Sequence, residues 1–64
     1  MFKKANNVFV GDRIRTLRGT ATVKFIRWFE NDFQARGYFV LEFLDGSAEV
    51  SIMYQTEQVG VLSD

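Results

Sequence analysis

Residues 38–53 read Tyr38-Phe39-Val40-Leu41-Glu42-Phe43-Leu44-Asp45-Gly46-Ser47-Ala48-Glu49-Val50-Ser51-Ile52-Met53, and this stretch decides the fold. An aromatic and β-branched run meets Asp-Gly, the dipeptide that favours a hairpin because its glycine accepts positive φ. The return segment alternates, with Val50 and Ile52 on one face and Glu49, Ser51 and Met53 on the other. That period of two describes a strand and not a helix.

The same pattern extends outward in both directions. Asp12 to Leu17 reads as a short strand closed by Arg18-Gly19, and Thr20 to Phe29 is the longest β-rich run. Its alternation slips where Phe25 and Ile26 stand side by side, which predicts a bulge or a sharp bend. Glu30 to Gly37 is polar and reads as a loop with room for one helical turn. Tyr54 to Gln58 suits a 3-10 turn, and Val59 to Leu62 makes a last strand. Five short strands with one 3-10 turn before the last predict an all-β fold, a small SH3-like barrel over residues 9–64. Residues 1–8 read as an N-terminal tail.

Composition narrows the chemistry. The chain has 64 residues, with no cysteine, histidine or proline, and balances eight basic against eight acidic side chains. Without Cys and His there is no disulfide framework, no ordinary zinc site and no histidine acid/base catalysis. A net charge of zero argues against a dedicated nucleic-acid binder, because phosphate contacts need a basic surplus. No apolar run approaches the roughly 20 residues of a membrane helix, and no signal-peptide core follows Lys3-Lys4. A cytoplasmic location without membrane contact is the expectation.

A surplus of apolar surface points past folding. Tyr38, Val40 and Leu44 fall on one face of their strand, and Phe39, Leu41 and Phe43 on the other. A small barrel has one interior, so one stripe is left outside. Reading Phe39, Leu41 and Phe43 as that stripe, together with Trp28, makes them candidates for a subunit interface in a homodimer or homotetramer. Val40 and Trp28 are expected to be buried.

Polar constellations are few. Arg13, Arg15, Arg18 and Lys24 form a candidate basic patch, for which the alternative is a solvated face paired to Asp12, Glu42 or Glu49. Glu30 and Asp32 are the one close carboxylate pair in the long loop, and loop polarity accounts for them. The glycines are too dispersed for a phosphate loop, and Ser51 has no activating base.

Gly11-Asp12-Arg13-Ile14-Arg15, then Gly19, Ile26-Arg27-Trp28-Phe29 and Gly37-Tyr38-Phe39-Val40 resemble the plasmid-borne type II dihydrofolate reductases over about residues 9 to 62. The resemblance implies an SH3-like barrel assembled as a homotetramer around a pore. The family's pore motif, Val-Gln-Ile-Tyr, falls on Val50-Ser51-Ile52-Met53, and its ligand-attracting basic residue falls on Thr16. Both polar pore residues and the basic one are therefore lost. A serine hydroxyl reaches about 2 to 3 Å less far than the glutamine amide it replaces. The resemblance thus implies scaffold without activity: a non-catalytic module that self-associates and binds a small apolar or aromatic ligand or a partner. A weakly active reductase using NADPH and dihydrofolate is the alternative, and a nucleic-acid or protein recognition module is a third.

Overall fold

The computed structural model describes residues 1–62; the last two residues of the expected 9–64 domain lie outside it. Six strands form, in the order β1 (Phe2–Lys4), β2 (Arg13–Thr16), β3 (Gly19–Trp28), β4 (Arg36–Phe43), β5 (Ala48–Tyr54) and β6 (Gln58–Gly60). All pairings are antiparallel. Strands β2-β3-β4-β5 make a curled four-stranded sheet, and β1 and β6 make a second sheet of two. The two meet at a bridge between Ile14 and Val61. The all-β fold read from the sequence is the one that forms, and among the described residues no strand pairs with the far side of β5.

The hairpin at Asp45-Gly46 forms as its sequence requires. Gly46 takes φ of 86°, and the Asp45 carboxylate accepts from the Ser47 amide at 2.9 Å and its hydroxyl at 2.6 Å. The predicted bulge is present too, placed between Val23 and Phe25. Its effect is a change of phase in β3. Before the bulge Ala21 and Val23 point inward; beyond it Ile26 and Trp28 pack on the core while Phe25 stands outside. That phase change resolves the adjacent Phe25 and Ile26, and the adjacent Trp28 and Phe29.

Three expectations are corrected. Residues 1–8 are not a tail: β1 pairs with β6, and the Ala5 amide donates to Glu57 O at 2.8 Å. Ala5 and Val8 belong to the core, so a chain this short uses its first residues to cover apolar surface. The 3-10 turn sits at Ala5–Asn7, not before the last strand. Tyr54 to Glu57 makes a single turn closed by Glu57 N–H on Tyr54 O at 3.1 Å.

The third correction concerns β4. Phe39, Leu41 and Phe43 are not an outward stripe; they are buried, Phe39 and Leu41 completely. Their cross-strand partners decide it, because Leu41 lies opposite Val23 and Phe43 opposite Ala21 on the inward side of β3. The outward apolar residues of β4 are Tyr38 and Val40, with Arg36 and Glu42 on the same face, and Val40 is only half-buried. Trp28 is half-buried as well, set edge-on to Phe39 with ring centroids 5.9 Å apart.

Candidate functional site

Two features stand out: a cleft beside β5 and the outer face of the large sheet. The cleft, of about 340 Å³, runs between β5 on one side and the end of β2 with β6 on the other. Leu41 and Met53 are among its apolar lining, with Ser51 and Thr16 between them, and Arg15, Glu49 and Glu57 are its charged groups. A cavity of this size is at the small end of ligand sites.

Strand alternation divides the five candidate pore residues. Thr16, Ser51 and Met53 come together in the cleft, whereas Val50 and Ile52 point to the opposite face, each close to 60% exposed. One copy of the chain therefore does not present Val50, Ser51, Ile52 and Met53 to one cavity. The Thr16 hydroxyl is engaged in its own turn, donating to Gly19 O at 2.7 Å and accepting from Arg18 N at 3.1 Å. Ser51 has no base beside it, and no cluster of metal-ligating side chains occurs among the described residues.

Of the basic candidates, Arg18 and Lys24 lie against carboxylates. Arg18 pairs with Glu49 at 3.6 Å, donates to the Ser47 hydroxyl at 3.2 Å and lies 4.3 Å above the centre of the Phe43 ring. Lys24 pairs with Glu42 at 3.5 Å. Arg13 and Arg15 are exposed on β2. Arg18 and Lys24 are thus offset by neighbouring carboxylates, and Asp12 is taken by Lys3 at 4.0 Å.

The loop carboxylates have a structural task. Asp32 accepts from Arg36 Nε at 2.8 Å and from the Gln34 amide at 2.9 Å. These bonds, the guanidinium first, hold its carboxyl below the usual range. A proton donor needs the opposite shift, and the bonds Asp32 makes fasten the loop. Glu30 is exposed at the neighbouring turn.

The second feature, the outward apolar face, was hidden in the sequence by the choice of the wrong stripe. Register places Phe25, Val40 and Val50 in one row across β3, β4 and β5, with Tyr38 and Ile52 in the next. Phe25, Val50, Ile52 and Tyr54 are each about half exposed or more. Tyr38 joins the rings, its centroid 6.1 Å from Phe25 and 5.9 Å from Phe29. The charges on this face are Arg27, opposite Tyr38, with Arg36 towards one end and the Lys24–Glu42 pair towards the other. The alternation of Val50 and Ile52 was the one sequence signal that marked it.

No described helix is long and apolar enough to cross a membrane. Set against known proteins, the chain matches no family model, no curated protein and no solved structure.

Proposed function

We propose that this chain is a non-catalytic module that associates with copies of itself through the outer face of β3, β4 and β5. The carrying observation is the contiguous set of Phe25, Val40, Val50 and Ile52 with the Tyr38 ring, left on the surface of a 64-residue chain. Contiguous apolar surface of this kind marks an interaction site, and small domains gain stability by assembling. Scattered apolar residues at loop tips carry no such argument.

The cleft is the ligand site of this reading. Its apolar lining and the Ser51 hydroxyl suit a small uncharged or aromatic molecule, and the one cation of its lining, Arg15, is offset by Glu49 and Glu57. A phosphate-bearing cofactor finds little attraction there. The reductase reading predicts NADPH oxidation in the presence of dihydrofolate; the present reading expects none above background.

Sedimentation at micromolar concentration, with melting temperature followed over dilution, tests self-association. The expected result is a species larger than the 7.4 kDa monomer and a melting temperature that falls on dilution. Ile52→Glu, on the exposed face, is expected to give a folded monomer. A wild-type monomer with a concentration-independent melting temperature refutes the reading.

A further inference from the structure

Among the described residues, nothing pairs with the backbone of strand β5 on its far side between Ala48 and Ile52. In an antiparallel ladder successive residues send their N–H and C=O groups to opposite neighbours. Phe43 N–H bonds Ser47 O at 2.9 Å and Gln55 N–H bonds Ala35 O at 2.9 Å, which fixes the phase of the β4–β5 pairing. Odd-numbered residues of β5 bond to β4. Ala48, Val50 and Ile52 direct theirs away from it. Tyr54, next in that series, is occupied: its N–H donates to Glu57 Oε1 at 3.3 Å and its carbonyl accepts Glu57 N–H at 3.1 Å. Between Ala48 and Ile52 the edge carries no lysine, proline or bulge, and its one charged side chain, Glu49, is paired with Arg18 of the same chain at 3.6 Å.

We propose that a second copy of this chain closes the edge, with β5 antiparallel to its counterpart on a two-fold axis through Val50. This rests on the self-association reading and adds to its outer face a second contact, at the strand edge. The axis follows from counting the free groups. Centred on Val50, the ladder sets Val50 opposite Val50 of the second copy and Ala48 opposite its Ile52, so all three free residues exchange both bonds. Centred on Glu49, it sets two carboxylates face to face, which is unfavourable, and leaves Ile52 unpaired. Centred on Ser51, it sets Ala48 against Tyr54, whose groups are engaged.

The chosen axis also places Glu49 opposite Ser51 of the second copy, a hydroxyl donor for its carboxylate. Both residues line the cleft, so each copy borders the other's candidate ligand site. On the outer face, Val50 and Ile52 of both copies merge into one apolar surface across an eight-stranded sheet.

Because the chain has no cysteine, one substitution reads the register. In Val50→Cys the two Cα atoms stand about 5.5 Å apart, inside the range that a disulfide spans. In Ile52→Cys the two thiols are displaced by about 13 Å along the strands, out of reach. Packing of the outer faces holds the sheets about 10 Å apart, also out of reach. Mild oxidation is expected to convert most of Val50→Cys to a covalent dimer, at least about tenfold more than Ile52→Cys. An equimolar mixture of Ala48→Cys and Ile52→Cys chains is expected to give the mixed disulfide, a second measure that does not depend on Val50. Equal cross-linking at Val50 and Ile52, or none at Val50 and none in the mixture while sedimentation still shows a dimer, overturns this register and leaves self-association standing. A wild-type chain monomeric by sedimentation overturns both.

Discussion

Gly37→Ala is the sharpest single test of the packing. Gly37 lies in β4 opposite Trp28, and an added Cβ would fall on the Arg27 carbonyl oxygen and the Trp28 ring. The carbonyl belongs to the β3 backbone and cannot move without disturbing the pairing of Arg27 with Tyr38. The strand must give at this carbonyl and the indole must turn away, losing its edge-on contact with Phe39, worth about 0.5–1.5 kcal/mol. Overpacking costs about 1–3 kcal/mol more, partly offset by the roughly 0.5–1 kcal/mol that a strand gains when glycine is replaced by alanine. The net loss is about 2 kcal/mol. A domain of this length has roughly 3–10 kcal/mol in total, and each kcal/mol moves its melting point by about 4–8 °C. Thermal unfolding followed by circular dichroism is expected to show a drop of about 8–16 °C. The emission of Trp28, the single tryptophan, shifts to the red. Gly60→Ala is the control, since its added Cβ meets only ordinary contacts of 3.6 Å or more, and its effect should stay within about 0.5 kcal/mol. A Gly37→Ala chain as stable as wild type refutes the reasoning.

Phe39→Ala removes a fully buried ring and should cost about 3–5 kcal/mol, read by urea denaturation as a chain largely unfolded at room temperature. Lys24→Ala removes an exposed ion pair and should change stability by less than about 1 kcal/mol, whereas Arg18→Ala costs more because it also uncovers Phe43. Asp32 and Asp45 are both held below the usual carboxylate range, by Arg36 and by Ser47 respectively. Their contribution to stability is complete above the unfolded carboxylate value of about 4 and is lost as pH falls through the lower folded values. Melting temperature measured across that acid range should fall less steeply in the Asp32→Asn, Asp45→Asn double variant, and an unchanged slope contradicts this.

Features under the control of local rules are legible in the chain alone. Asp45-Gly46 specified a hairpin because positive φ is available to glycine, and the alternation of residues 48–53 specified a strand. The doublet Phe25-Ile26 announced a bulge, and the missing cysteine and histidine removed whole classes of chemistry. The ion pairs Arg18–Glu49 and Lys24–Glu42 were among the alternatives read for the basic residues. Which apolar face is inside depends on long-range contacts. Phe39, Leu41 and Phe43 carry the same hydrophobic signal as Tyr38 and Val40, so periodicity is symmetric between the two faces of β4. The tie is broken by register against β3 and by the phase change at its bulge, which sum contacts between residues far apart in the chain. The same limit applies to the ends. Phe2–Lys4 has no local strand signal and becomes a strand because β6 offers it hydrogen-bond partners. The split of Ser51 from Val50 and Ile52 was legible as alternation, but their assignment to a cleft and to an open face needed the curl of the sheet.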